Sequence, residues 1–243
     1  MKKAAFFAAW LFFALTAAAS TQHENDIVKG NGIHAEETRE FPEYTGIDVN
    51  GPFEIKLVYG KPGLVILEGE ANLLALTIVE NKESKLFIAA SYNHLLKPSH
   101  DRKITIRIPY RKIETIMLTG SGSVYAARTL TGETLELGVD GSGIIRLGAN
   151  VAAVKACVIG QGRIILNGHT GILKCAVAGA GSIKACGLEA ESVQALLSGC
   201  GTIETNCTKH ITGRINGTGS IAFSGEPSNT DLKHTGYGKF RVF

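Results

Sequence analysis

Residues 118–148 read LTGSGSVYAARTLTGETLELGVDGSGIIRLG, and this stretch contains two full copies of one element, a Gly-x-Gly triplet followed by an apolar residue. The triplet occurs seven times, beginning at Gly120, Gly141, Gly160, Gly179, Gly199, Gly217 and Gly236. Successive triplets begin 21, 19, 19, 20, 18 and 19 residues apart. A regular period of this length indicates a solenoid, a propeller or another array of stacked units.

The positions around each triplet alternate in the manner of a half-buried β-strand. The residue four positions after the first glycine is always large and apolar, and the residue two positions before it is apolar except at His234. Both glycines share the parity of these apolar residues, so the alternation predicts that both face the interior. Because glycine inside a strand marks a bend or a close backbone approach, we interpret each triplet as an inward corner of a coil. The glycines with this structural role are Gly120, Gly122, Gly141, Gly143, Gly160, Gly162, Gly179, Gly181, Gly199, Gly201, Gly217, Gly219, Gly236 and Gly238.

Two other all-β architectures fit this pattern less well. Propeller repeats are about twice as long, and β-sandwiches do not keep their strand phase over so many intervals. The pattern therefore predicts an all-β, single-domain parallel β-solenoid, or β-helix, whose rungs are about 19 residues long. The chirality of parallel crossover connections favours a right-handed coil.

The first 19 residues are interpreted as a signal peptide. Lys2 and Lys3 precede the apolar run 4–15, and the alanines at 17–19 are suitable cleavage positions. The apolar run is too short to span a membrane comfortably. Cleavage removes two of the 25 basic residues and none of the 22 acidic ones, so the mature chain is nearly neutral and gives no indication of nucleic-acid binding. We expect an exported protein with no integral membrane segment, located in the periplasm, on the outer surface or in the medium.

The mature chain divides into three further segments. Residues 20–40 are polar and aperiodic, which predicts a flexible leader. Residues 41–118 alternate like strands and form either a separate antiparallel module or the irregular first rungs and cap of the solenoid. We favour the cap because terminal repeats are typically irregular, and we expect a flexible loop around residues 92–102. Residues 119–243 contain the repeats of the same domain.

Several elements together resemble the bacterial head GIN domain family of autotransporter adhesins. After the signal peptide come GPFEIKL at 51–57, TGSGSV at 119–124 and GTGSI at 217–221, and the resemblance extends over residues 41–243. It implies a β-helix similar to that of pectin-lyase-like proteins but without their catalytic residues, an exported location and a role in adhesion. The chain departs from the family pattern in its five cysteines and in having no separate anchor or translocator segment.

The cysteines are all located in the repeats, between residues 157 and 207. No C-x-x-C pair occurs and no histidine lies at a metal-like spacing, so no zinc site is predicted. Cys186 lies seven residues past the start of its triplet and Cys207 eight, so a disulfide across neighbouring rungs about 4.8 Å apart is one interpretation. Small apolar filling of the core is the other. Cys200 occupies the outward middle position of a triplet and is expected to be an exposed thiol.

Catalytic chemistry is not predicted. Acidic residues near the triplets fall on different rungs, so the clustered carboxylates of a calcium-dependent lyase are missing. Only Asp140 fits the phase of a calcium-binding nonapeptide repeat, and the triplets lack the strand–loop–helix context of a phosphate-binding loop. We expect no catalytic residue, no metal site and no cofactor. A pectin-lyase-like polysaccharide enzyme is the least favoured alternative.

Binding is the function class that the pattern favours. Rows of hydroxyl side chains on outward positions suit cell-surface glycans or envelope polymers, although serine and threonine also simply keep an exposed strand soluble. The candidate ligand-facing residues are Thr119, Ser121, Ser142, Thr218 and Tyr237. The expected function is that of a non-catalytic adhesin or polysaccharide-binding protein. The alternative is a periplasmic scaffold that forms homo-oligomers through an open end of the coil.

Overall fold

The computed structural model describes residues 26–100 and 102–243, which form β-strands almost throughout. The first part contains strands β1 (Asp26–Lys29), β2 (His34–Glu40), β3 (Gly46–Asn50), β4 (Phe53–Tyr59), β5 (Leu64–Glu70), β6 (Thr77–Lys82), β7 (Lys85–Ala90), β8 (His94–Lys97) and β9 (Ile104–Tyr110), with one short helix, α1 (Ala71–Leu74). The second part contains β10 (Thr115–Gly120), β11 (Ser123–Ala126), β12 (Leu130–Gly141), β13 (Ile144–Gly160), β14 (Arg163–Gly179), β15 (Ser182–Gly199), β16 (Thr202–Gly217), β17 (Ser220–Ser224), β18 (Asn229–Gly236) and β19 (Lys239–Val242). The predicted all-β class is confirmed.

The repeats stack as parallel rungs with the triplets in register. Gly120 faces Gly141, which faces Gly160, and the same pairing continues through every later triplet to Gly236. Each triplet is therefore the same corner on successive turns of the coil. The parallel β-solenoid that the spacing predicts is confirmed, while its right-handedness stays a prediction.

The core consists of two apolar columns that run along the coil. The side chains two positions before and four positions after the first glycine are buried in every complete rung, as the alternation predicts. Burying a side chain of this size contributes roughly 1.5–3 kcal/mol, so the two columns account for much of the stability. The columns consist of Leu118, Val139, Val158, Val177, Leu197 and Ile215 and of Val124, Ile145, Ile164, Ile183, Ile203 and Ile221.

The two glycines of a triplet have different roles at the corner. The first has a positive φ in all seven triplets, from 93° at Gly160 to 131° at Gly217, a region that side chains disfavour. The second is buried, and a Cβ atom at Gly201 would lie 2.4 Å from the carbonyl oxygen of Gly181 on the adjacent rung. The alternation predicted that both glycines face inward. Only the second does so fully, because the positive φ of the first interrupts the alternation.

The N-terminal end of the coil is built from strands that are not in chain order. β3 and β4 pair in parallel with β10 and β11 on one side and with β7 and β9 on the other. The outermost rung is therefore β7 and β9, although these strands follow β3 and β4 in the chain. Antiparallel pairings of β6 with β7 and of β5 with β9 and β2 complete this end. The interpretation of residues 41–118 as first rungs and cap of the same solenoid is consistent with these pairings.

The predicted flexible leader and the predicted loop at 92–102 are both ordered in the described residues. β1 pairs in parallel with β8, and β2 pairs with β5 along its whole length. The carboxylate of Glu70, which is 2% exposed, accepts hydrogen bonds from the backbone of Gly32 at 2.6 Å and from the backbone and hydroxyl of Ser99 at 2.8 and 2.6 Å. The hydrogen bond from the Ser99 hydroxyl has the largest effect, and together these bonds hold the pKa of Glu70 below its usual range. Residues 26–40 are thus held by backbone pairing, by the Glu70 carboxylate and by hydrogen bonds from Arg39 to the carbonyls of Leu74 and Thr77, while Val28 and Ala35 pack against the core. The expected signal peptide and the start of the leader lie outside the described residues.

The opposite end of the coil is covered by its own last rung. Thr230 and His234 occupy positions that continue the buried columns of Ile211 and Ile215, whereas Leu232 and Phe240 of the same rung pack against the core. The ring of Phe240 lies against Gly213, where an added Cβ atom would be 2.7 Å from it. Because Gly213 has no side chain, the ring of Phe240 has room to pack there and cover this end of the coil. No helix in the described part of the chain is long and apolar enough to span a membrane.

Candidate functional site

The outward side of the strand segments that precede each triplet carries a continuous apolar column. We call this side the strip face, and we call the column the apolar strip; its members stand opposite one another on five successive rungs. The strip consists of Met117, Gly138, Cys157, Ala176 and Leu196. In a half-buried sheet these positions are normally polar, so an unbroken apolar column at outward positions is a feature that requires a reason.

Between residues 115 and 228, the large exposed apolar side chains lie on this face. They are Ile159, Ile172 and Leu196, which are 51%, 45% and 43% exposed. Ile159 follows Cys157 by two positions and therefore points to the same side of the sheet. Tyr237, Val242 and Phe243 are also exposed, but they belong to the last rung of the coil.

Three adjoining depressions follow the apolar strip, with volumes of about 460, 320 and 170 Å³. They arise because Gly138, Cys157 and Ala176 are small, while the larger side chains of Met117 and Leu196 stand at either end of the strip. Cys157 lines all three depressions, so it marks the centre of the groove. Burial, together with the nearby charge of Asp140, raises the pKa of the Cys157 thiol, which is therefore neutral at physiological pH.

Charges are unevenly distributed along the groove. Lys155 and Lys174 stand opposite each other on neighbouring rungs and line one side of the middle depression. Neither lysine forms an ion pair or a hydrogen bond with another residue in the described part of the chain. Acidic side chains lie towards the Met117 end, where Glu136 precedes Lys155 in its column and Asp140 lines the smallest depression. Beyond Leu196 the column of the apolar strip continues into Arg214 and Lys233, which line the depression of about 460 Å³ and share the carboxylate of Asp231. The groove therefore has an acidic end near Met117, a basic middle, and paired charges at its other end.

The outward side of the segments that follow each triplet is polar, and we call it the polar face. Its central column passes from rung to rung through side chains that are mostly charged: Tyr125, Arg146, Ile165, Lys184, Glu204, Ala222 and Arg241. None of the three large exposed apolar residues of the repeats lies here. The polar face lies on the same rungs as the strip face, so substitutions on the polar face can serve as controls for substitutions on the strip face.

The predicted ligand-facing residues are all exposed, but the structure does not bring them together. Thr119 lies beside the strip and lines the smallest depression. Ser121 and Ser142 are adjacent at the triplet corner, whereas Thr218 and Tyr237 stand at the far end of the same corner row. The positions between these two pairs are occupied by Gln161, Ala180 and Cys200. The hydroxyl groups therefore form two separate polar ends rather than one continuous row.

The apolar strip was not predicted from the sequence. Its signal was present at the position three residues before each triplet, which reads Met, Gly, Cys, Ala and Leu in five successive repeats. Those residues have the parity of the outward side, so their apolar character could have been recognised.

Of the two interpretations of Cys186 and Cys207, the disulfide is not formed in this structure, where all five cysteines are free. The β15–β16 pairing passes from Ala185 directly to Glu189, so Cys186 lies in a bulge and has no partner on the next rung. Cys207 is buried and stands opposite Ala190. Cys200 is exposed, as predicted.

The interior thiols pack as apolar groups, and the acidic side chains of the described residues form no metal-binding cluster. Burial raises the pKa of Cys175 to about 12, so this thiol stays protonated and packs as a small apolar group. No group of three or more His, Cys, Asp or Glu side chains in residues 26–100 and 102–243 is placed to hold a metal ion.

The stacked rungs define the chain as a parallel β-solenoid, and the depressions on its strip face form an open groove. Residues 43–227 match the family described as "putative auto-transporter adhesin, head GIN domain", and the chain belongs to that family. The resemblance seen in the sequence is confirmed.

Solved structures from Bacteroides and Parabacteroides species have the same fold. A putative adhesin from Bacteroides fragilis superposes with a TM-score of 0.83 at 24% identity, over 89% of this chain and 100% of that one. A putative lipid binding protein from Parabacteroides distasonis gives a TM-score of 0.71 at 19% identity, over 90% and 100% of the two chains. A putative adhesin from the same species gives 0.66 at 21% identity, over 89% and 99%. At these identities the similarity shows a shared fold, and none of the curated proteins matches the sequence.

Proposed function

We propose that this protein is an exported, non-catalytic adhesin that holds a surface ligand against its strip face. The observation that carries the proposal is the unbroken apolar strip with its three depressions on the outward side of the repeats. Contiguous exposed apolar surface with a polar border is characteristic of an interaction site. Family membership and the adhesin descriptions of the similar structures support a binding role over an enzymatic one.

The polar groups at the two ends of the strip face suit an extended ligand. Thr119, Ser121 and Ser142 lie at one end and Thr218 and Tyr237 towards the other, so a glycan or envelope polymer could make hydrogen bonds at both ends and apolar contact between them. Contacts of this kind are individually weak and act through their number. Export through the signal peptide and a periplasmic or surface location belong to the same proposal.

A matched pair of substitutions tests the proposal. Ala176→Glu places a carboxylate in the centre of the strip, whereas Ala222→Glu places one at an outward position on the polar face. An uncompensated charge in an apolar contact costs at least about 1.4 kcal/mol, so we expect Ala176→Glu to reduce attachment of protein-coated beads to cells or a glycan array at least tenfold. Ala222→Glu should bind like the wild type. Equal binding by both variants would show that the strip face takes no part in attachment.

The location is tested separately. We expect protease added to intact cells to digest the protein, because an adhesin must reach the outer surface. Digestion only after the outer membrane is permeabilised would instead support the periplasmic scaffold, which light scattering over a concentration series would then examine for self-association.

A further inference from the structure

The apolar strip lies beside two cationic side chains that have no partner, and this combination specifies a class of ligand. We infer that the strip face binds a single-chain anionic amphiphile, with its acyl tail along the apolar strip and its carboxylate at Lys155 and Lys174. The inference rests on the proposed function in that both assign the ligand to the strip face. It goes further by naming the chemistry and orientation of that ligand.

The length of the strip fits an acyl tail. From Ala176 to Met117 the groove crosses three rung spacings of about 4.8 Å, or about 14 Å in total. One leaflet of a bilayer, half of a hydrocarbon core about 30 Å thick, requires a tail of about 15 Å. A tail that starts beside Lys174 therefore passes over Cys157 and Gly138 and ends near Met117.

The distribution of charge fixes the direction of the amphiphile. The ammonium groups of Lys155 and Lys174 lie at the basic middle of the groove, whereas Glu136 and Asp140 lie towards Met117. A carboxylate is attracted by the two lysines and repelled by the two acids, so it binds at the lysines and the uncharged tail extends away from them. The small side chains at Gly138 and Cys157 leave the space that the tail fills.

A second copy of the chain is a poorer occupant of this face. In a face-to-face dimer with its two-fold axis along the strands, the Lys155–Lys174 column of one copy meets the same column of the other. With the axis along the coil, Lys155 meets the apolar side chain of Ile159 instead. Glu136, which precedes Lys155 in this column, can oppose only one of the two lysines. Each arrangement therefore buries at least one ammonium group without a counter-charge, which is unfavourable.

Titration calorimetry of the mature protein with tetradecanoate, below its micelle concentration, tests the inference. We expect saturable binding to the wild type and a loss of more than about tenfold in Cys157→Glu, because a carboxylate then lies beneath the tail. Cys186→Glu, which places the same charge in an exposed bulge of β15, should bind like the wild type. Lys174→Gln should weaken binding about threefold to fivefold, whereas Lys184→Gln on the polar face should not.

Two further ligands separate the tail from the headgroup. Tetradecanol lacks the carboxylate and should bind equally to the wild type and to Lys174→Gln, while dodecanoate should bind about fifteenfold more weakly than tetradecanoate because two fewer methylene groups are buried. Absence of saturable binding, binding only to anionic vesicles, or equal losses in Cys157→Glu and Cys186→Glu would each overturn the inference.

The same variants distinguish the two proposals. If Ala176→Glu abolishes cell attachment but tetradecanoate does not bind the wild type, the amphiphile inference fails and the adhesin function stands. If tetradecanoate binds as expected but attachment is absent, the adhesin function fails and the amphiphile site stands.

Discussion

The corner glycines permit a test of what keeps the rungs at their spacing. In Gly201→Ala the new Cβ atom would lie 2.4 Å from the carbonyl oxygen of Gly181, whereas real Cβ contacts are at least 3.0 Å, so the rungs must separate locally by about 0.6 Å. That carbonyl accepts a hydrogen bond of 3.1 Å from the backbone of Thr202, which the separation would stretch. Overpacking costs about 1–3 kcal/mol and a weakened backbone hydrogen bond about 1 kcal/mol. We therefore expect a loss of about 3 kcal/mol.

Gly60→Ala is the matched control for this substitution. Gly60 is not among the glycines with a positive φ, and no atom lies within 4 Å of an added Cβ. There the alanine restricts only the unfolded chain, so we expect stability to stay the same or rise by about 0.5 kcal/mol.

Urea unfolding followed by far-ultraviolet circular dichroism measures both effects. With an m-value of about 3 kcal/mol per molar urea, the midpoint of Gly201→Ala should fall by about 1 M relative to the wild type. The midpoint of Gly60→Ala should be unchanged or slightly higher. If the two variants unfold at the same urea concentration, the close approach of neighbouring rungs does not explain the second glycine of the triplets.

Three other predictions follow from the ends of the coil and from its thiols. Phe240→Ala should cost about 2 kcal/mol, half the usual loss for a fully buried ring, and hydrogen exchange should become faster in β16 and β18 but not in β13. Because the Ser99 hydroxyl and other donors lower the pKa of Glu70, its contribution to stability is present at neutral pH and is lost as the pH falls through that lowered value. In Glu70→Gln this part of the acid sensitivity should be absent, as limited proteolysis of residues 26–33 between about pH 3 and 7 would show. Mass spectrometry after thiol alkylation of the native protein should find three labels, with Cys175 and Cys207 unmodified because both are buried.

The repeats could be predicted from the sequence because their information is local. The spacing of the triplets is the rung period itself, and the apolar residue four positions after each first glycine occupies a buried column. The spacing alone does not give the correct position of Cys186 relative to Cys207, because the rung length changes between them. The intervals on either side of Gly199 are 20 and 18 residues, and the difference is absorbed by bulges that shift the register exactly where the two cysteines were expected to meet.

The N-terminal end could be predicted only in outline, because its partners are distant in the chain. Nothing in the polar sequence of β2 indicates that it pairs with β5, since that pairing uses backbone groups that every residue has. The buried Glu70 that ties Gly32 to Ser99 likewise depends on three segments meeting in space. The candidate site could be predicted in part. The apolar strip recurs at a fixed position before each triplet in the sequence, whereas the juxtaposition of Lys155 and Lys174 follows only from the strand register of the structure.

The rung that is out of chain order bears on how the molecule folds. Neighbouring strands of the repeats are one period apart in the chain, so their contacts close short loops and can propagate from one rung to the next. β3 must instead reach β10 across 69 residues, as the pairing of Gly46 with Thr115 shows, and that closure costs more entropy. A chain synthesised from its N terminus also presents β3 and β4 before either neighbouring rung exists. We therefore expect the repeats to nucleate folding and the first-made strands to dock last, with pulsed hydrogen exchange protecting β14 before β3.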